Sequence, residues 1–306
     1  MSIIEKAAGK LEAEEKQRAK PAAFETPADP PSLSAGHDHS SERQNQPAYS
    51  QQPAPIAAAA NVSKRIALNL AKMREYGIVT PDQGRTQIAE QFRVIKRPLL
   101  TNAFNKGPGM IKNGNLIMVT SALAGEGKSF CTVNLAMSIA MEMDRTVLLV
   151  DADVARPTVP KILGLGTERG LMDILLDDNL KLVDVLIKTD IEKLTLLTAG
   201  RRHSHSTELL ASEQMASLLR ELASRYSDRI IIFDSPPLLA TTEARVLASL
   251  MGQIVMVVAA DSTSQHAVSQ ALATIENCEI VLMMLNKSSR TDVGTYYGYY
   301  GDDAGR

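Results

Sequence analysis

From residue 115 to residue 285 the chain alternates between two hydrophobic patterns. Short unbroken apolar runs of strand length occur at LIMVTS (116–121), TVLLVD (146–151), LTLLTAG (194–200), RIIIFD (229–234), QIVMVVAA (253–260) and IVLMML (280–285). Between them lie segments near 128–143, 211–226, 242–250 and 265–276 whose apolar residues recur at helical spacing. Strands that are apolar on both faces and separated by helices predict a mostly parallel sheet covered on both sides. The fold class is therefore a doubly wound α/β domain. Met137, Met141, Met143, Met251, Met256, Met283 and Met284 are expected on the core faces of these elements.

Upstream the pattern is helical only. KRIALNLAKMREYG (64–77) and RTQIAEQFRVIKRPLL (85–100) each read as a helix, and Pro98 is expected to end or kink the second, because it removes a backbone donor and disfavours helical geometry at Arg97. The first residues show Ser2 and Glu5 at capping-box spacing, with Ile4, Ala8 and Leu11 on one helical face. Residues 20–61 are rich in Pro, Ala, Ser and Gln and hold few large apolar side chains, too few to offset chain entropy. The resulting division is a short amphipathic helix at 1–19, a flexible linker at 20–61, a helical segment at 62–112, an α/β domain at 113–290 and a tail at 291–306.

Composition narrows the function classes. A hydrophobic share of 44% over 306 residues supports a large core, and a net charge of −2 gives no general attraction to nucleic acid or anionic membrane. Cys131 and Cys278 form no paired motif for zinc or redox chemistry, and a reducing cytoplasm suits them. No apolar run approaches the roughly 20 residues that span a bilayer, and the N-terminus lacks the pattern of a secretory signal. His37 and His39 flank Asp38 in the linker, where a metal site is not expected.

The chemistry concentrates after the first strand, in SALAGEGKSF (121–130). A strand, a glycine turn and a helix N-terminus make a phosphate-binding loop: Gly125 and Gly127 let backbone N–H groups close on phosphate, Glu126 and Phe130 flank them, Lys128 reaches the terminal phosphates, and Ser129 can ligate Mg²⁺. Ala122 takes the place of the motif's usual first Gly. The second strand ends at Asp151 and Asp153, and RIIIFD ends at Asp234. Ligands of doubly wound sheets bind at the carboxyl ends of the strands, so the three carboxylates are expected to converge on the nucleotide. Downstream, four of the seven tyrosines, Tyr296, Tyr297, Tyr299 and Tyr300, fall within the last eleven residues among glycines.

AGEGKS, VLLVDADVARP and IIIFDSPP resemble the Walker A, A′ and B motifs of bacterial tyrosine kinases, and the tyrosine cluster is the family's fourth hallmark. The resemblance covers roughly residues 63–306 and is strongest to the autokinases of exosortase-linked exopolysaccharide operons. In AEQFRVIKRPLL, Glu90, Arg93 and Lys96 stand at the spacing of the family's oligomerisation motif, with Lys96 in place of its last Arg. TELLAS (207–212) also fits, whereas Ala155 occupies the Arg position of the Walker A′ pattern, one residue before Arg156.

The resemblance implies an ATP- and Mg²⁺-dependent P-loop kinase that phosphorylates its tail tyrosines in trans within a ring-like homo-oligomer. Ser129, Asp153 and Asp234 would hold the metal, Lys128 would serve the phosphates, and Asp151 or Asp153 would take the proton of a phenol whose pKa is near 10. Asn286 is at the position where relatives contact adenine. The implied partner is a membrane polysaccharide co-polymerase that recruits the enzyme to the inner face of the plasma membrane; nucleic acid is not a partner. The rival reading is a MinD/ParA-type switch ATPase without kinase activity, whose signature Lys is replaced here by Leu123. A basic loop over the nucleotide, or plain surface, accounts for His203 and His205.

Overall fold

The computed structural model describes residues 64–225 and 228–289. The expected helix at 1–19, the linker with His37 and His39, and the tail tyrosines lie outside the described residues. The eight strands are β1 (Arg65–Ile66), β2 (Leu116–Ser121), β3 (Thr146–Asp151), β4 (Ile187–Thr189), β5 (Leu194–Leu197), β6 (Arg229–Asp234), β7 (Gln253–Ala259) and β8 (Val281–Asn286). They form one sheet in the order β1-β4-β5-β3-β6-β2-β7-β8. From β5 to β8 all pairs are parallel; β4 runs antiparallel to β5, and β1 pairs parallel with β4.

Strand alternation splits the core in two. Leu116, Met118, Ile231 and Phe233 face one apolar layer with the helices Glu213–Arg225, Thr242–Ala248 and Gln265–Ala273. Ile117, Val119, Ile230 and Ile232 face the other, with the helices Lys128–Ala140 and Gln87–Phe104. The period of two in a strand places neighbours on opposite faces, which is why runs such as RIIIFD are apolar throughout. Leu68, Met73, Ile78, Phe92 and Leu99 belong to this second layer, so the upstream segment packs against the same sheet. Two further ties hold it: Val79 N donates to buried Asn134 (2.8 Å), and Gln253 donates to the Leu99 and Gly114 carbonyls while accepting from Asn102 (3.1, 2.6 and 2.9 Å).

Four expectations are corrected. The stretch 64–77 is not one helix: Arg65–Ile66 joins the sheet edge, and only Leu70–Glu75 is helical, capped by the Asn69 side chain. The Gln87–Phe104 helix does not end at Pro98 but runs through it, with the proline on its exposed side. Met141, Met143 and Met283 are exposed, because the first two follow the end of a helix and the third sits on the edge strand β8. The fourth correction, at Lys96, belongs with the site residues below. No helix among the described residues is long and apolar enough to cross a membrane.

Candidate nucleotide-binding site

The loop between β2 and the Lys128–Ala140 helix needs its glycines for backbone reasons. Gly125 and Gly127 have φ of 86° and 92°, the left-handed region that side chains disfavour. A Cβ on Gly127 would also come within 2.2 Å of Asn286 Nδ2. Gly127 is the N-cap and offers no side chain to the first helical turn, so the N–H groups there remain for an anion, with the helix dipole favouring negative charge. Beside the loop is a cleft of about 660 Å³, lined among others by Gly125, Gly127, Lys128, Ser129, Asp153 and Arg156.

Three carboxylates converge here as expected. Asp151 and Asp234 are opposite each other at the ends of β3 and β6. Asp153 reaches Lys128 Nζ at 2.8 Å, and both line the cleft. Asp151 is fully buried below, accepting from the N–H groups of Asp153 and Val159, each at 3.2 Å. Asp234 Oδ1 accepts from Thr132 (3.1 Å), while Oδ2 is buried without a hydrogen bond among the described residues. Burial, then the charges of Asp234 and Asp153, push Asp151 up to about 8. Burial also raises Asp234, against the lowering effect of Lys128 and the hydroxyls of Ser129 and Thr132. Burial by itself would lower Lys128, but the fields of Asp234, Asp153 and Asp151 outweigh it and hold the ammonium above the ordinary lysine value.

An orphaned buried carboxylate oxygen, an adjacent serine hydroxyl and a second carboxylate form a hard-oxygen donor set of the type Mg²⁺ takes. The residues present fit that ion. Neither cysteine competes for a role: burial pushes the Cys131 thiol up to about 12 and also raises Cys278.

The other expected residues divide. Phe130 lines the cleft, as do Ala155 and Arg156. Glu126 does not present its side chain to a nucleotide. It is 3% exposed and turned inward, accepting from Leu123 N (2.6 Å), Ala259 N (3.4 Å) and the Thr263 hydroxyl, so it staples the loop to the end of β7. Asn286 donates to the Glu126 carbonyl (2.9 Å) and is not among the cleft-lining residues. His203 and His205 lie 5.6 Å apart with their rings tilted, on a loop outside the cleft lining.

Glu90 and Arg93 are exposed and pair with each other, but Lys96 is not on their face. It is 4% exposed, donating to the Ser138 carbonyl (2.5 Å) and pairing with Glu142 (2.8 Å). At about 100° per residue, a three-residue step falls some 60° short of a full turn, so two steps carry Lys96 about 120° round from Glu90 and into the interior.

Several contributors escaped the sequence reading, Lys287 among them. Thr132 holds Asp234; it stands one helical turn after Lys128, a spacing that could have revealed it. Thr158 and Thr241 line the cleft from loops that carry no such signal.

The family model described as an AAA domain matches residues 114–287. CapB of Staphylococcus aureus, named for a tyrosine-protein kinase, is 30% identical over 224 residues, which are 72% of this chain and 94% of the relative. The chain belongs to the bacterial tyrosine-protein kinase family. A second relative in that family, the tyrosine-protein kinase YwqD of Bacillus subtilis, is 29% identical over 235 residues, 76% of this chain and 94% of the relative. The kinase domain of the Escherichia coli tyrosine kinase ETK shares the fold, with a TM-score of 0.56 at 23% identity, covering 72% of this chain and 95% of that one. The fold is thus that of a P-loop nucleotide-binding domain.

Proposed function

We propose that this chain is an ATP-dependent protein-tyrosine kinase that phosphorylates Tyr296, Tyr297, Tyr299 and Tyr300 of a neighbouring copy, and so regulates exopolysaccharide polymerisation and export. The observation that carries the reading is the Lys128–Asp153 pair at the cleft wall, backed by buried Asp151 and Asp234. Phosphoryl transfer needs little covalent help from the protein; it needs positioning and charge neutralisation.

Lys128 is held to Asp153 by charge, and a terminal phosphate would draw it away from that partner. Asp153, of the three carboxylates, lines the cleft, so it is the one that meets a tyrosine hydroxyl and receives its proton. Asp151 positions it by accepting the Asp153 N–H. Mg²⁺, when bound, would neutralise phosphate charge, and Ser129, Asp153 and Asp234 are the residues that would hold it. The exposed Glu90–Arg93 face is the surface assigned to the neighbouring subunit, in keeping with a ring-like homo-oligomer. A membrane polysaccharide co-polymerase is the activator in this reading, recruiting the kinase to the inner membrane face.

A mixing experiment tests it. The Lys128→Met chain has a tail but no transfer, and a chain with all four tail tyrosines changed to Phe has a site but no acceptor. Each alone should give little phosphotyrosine with ATP and Mg²⁺, and together they should label the Lys128→Met chain. Wild-type protein that changes assembly size with ATP but carries no phosphotyrosine would instead be a nucleotide switch.

A further inference from the structure

The last residue of β8, Asn286, and the residue after it, Lys287, are fastened to the phosphate loop. Asn286 Nδ2 donates to the Glu126 carbonyl (2.9 Å), and Lys287 Nζ donates to the Gly125 carbonyl (2.7 Å). Lys287 also lines the cleft. Its φ is 60°, a left-handed backbone that a lysine adopts only when its surroundings insist. Here they do: the Asn286 carbonyl accepts from Ala260 N (2.8 Å), and its side chain is wedged over Gly127. At the end of the adjacent strand, Asp261 is left-handed as well, with φ of 54°.

A planar trans peptide points its C=O and its following N–H in opposite directions. Holding the Gly125 carbonyl at the β8 side therefore turns the Glu126 N–H away from that side, and holding the Glu126 carbonyl does the same for the Gly127 N–H. Neither N–H finds an acceptor among the described residues. Two successive donors are thus set parallel and left for an anion, which is the arrangement a phosphate requires.

We infer that Lys287, together with Asn286, is a positioning residue for nucleotide binding: it sets the peptide planes of the phosphate loop and couples that loop to the root of the tail. The inference rests on the cleft holding a nucleotide, as proposed above. It assigns to Lys287 a task distinct from that of Lys128, which acts on the phosphate itself.

Titration of the full chain with a fluorescent ADP analogue tests this without relying on activity. Lys287→Met should weaken nucleotide binding by about tenfold, the change that follows from losing one charge-assisted hydrogen bond of ~1.4 kcal/mol. KM for ATP should rise by a similar factor while kcat at saturation holds within about threefold, because misaligned donors reduce ground-state and transition-state binding alike. Lys287→Arg should restore affinity, since a guanidinium can donate to the same carbonyl. Lys287→Gly, which relieves the positive φ while deleting the amine, is the second variant and should fold stably yet bind weakly.

Normal affinity in both the Met and Gly variants overturns the inference, as does a fall in kcat with KM unchanged. Failure of Arg to rescue also overturns it, because the side chain would then act through packing. A wild-type protein that binds nucleotide but makes no phosphotyrosine strikes the kinase reading and leaves this one standing. Normal binding in both Lys287→Met and Lys287→Gly does the reverse.

Discussion

Replacing Lys96 separates the tertiary role of this residue from the intersubunit role that its spacing suggests. Its ammonium donates to the Ser138 carbonyl in the last turn of the Lys128–Ala140 helix. That carbonyl has no intrahelical partner, because Glu142 N donates to Ile139 and Met141 N to Met137. The lysine is thus a C-terminal helix cap delivered from another helix, with its charge at the favourable end of the dipole. Losing a charge-assisted bond to a buried carbonyl costs about 1.5–3 kcal/mol. The pairing with Glu142, whose side chain is 27% exposed, is screened and adds about 0.5 kcal/mol.

Lys96→Met, which keeps the apolar stem, should therefore destabilise by about 2 kcal/mol. Lys96→Ala, which also strips buried methylenes, should cost about 4 kcal/mol. At roughly 2–4 °C per kcal/mol for a domain of this size, melting should fall by about 4–8 °C and 8–16 °C. The hydrogen bond from Lys96 holds the Glu142 carboxyl below its ordinary value, so its contribution is present above the unfolded carboxylate pKa and is lost as pH falls through the folded one. That acid-side loss should shrink in Lys96→Met. Calorimetric melting and light scattering on the same samples would check this. A Lys96→Met protein that melts within about 2 °C of wild type, the scatter of a neutral surface change, yet loses its assembly, would refute the capping argument.

The remaining predictions concern the site. Asp151 is raised to about 8, so the folded state keeps a proton that the unfolded chain releases near pH 4. Without metal or nucleotide, stability should therefore fall as pH rises from about 4 to 8, by up to ~1.4 kcal/mol per pH unit from this group. Asp151→Asn should flatten the slope in urea titrations, and an unchanged slope would show that Asp234 alone causes it. Glu126→Ala should cost about 1–3 kcal/mol, because it leaves the buried Leu123 and Ala259 N–H groups without their acceptor. Nucleotide affinity measured by titration should fall with it, and an unchanged affinity would mean that the loop holds its shape without the staple.

Much of this protein is legible in local sequence. LIMVTS, TVLLVD and RIIIFD announce strands buried on both faces because their polar residues stand only at the ends and the middle of each run is apolar on both sides. The spacing from β2 through Gly125 and Gly127 to Lys128 sets the phosphate loop, since only glycine tolerates those dihedrals. Asp151, Asp153 and Asp234 could be brought together on paper because parallel strands end at the same edge.

Tertiary structure decided the rest. β1 and β4 have two and three residues, too few for a hydrophobic period, and exist because an edge was available to pair with. Glu126 reads as one more member of the phosphate loop until the end of β7 supplies one N–H donor, from Ala259, and the loop after it one O–H donor, from Thr263, which turn it inward. Asn286 and Lys287 stand some 160 residues from the loop they hold, a contact that exists only once β8 has docked beside β7. Lys96 shows the boundary most plainly. Sequence spacing placed it with Glu90 and Arg93, but the helix rotates it inward, where a carbonyl from a distant helix end had no other donor. Local pattern fixes dihedrals and burial periodicity, whereas the partner of a polar group is set by whatever the packed chain leaves unsatisfied beside it.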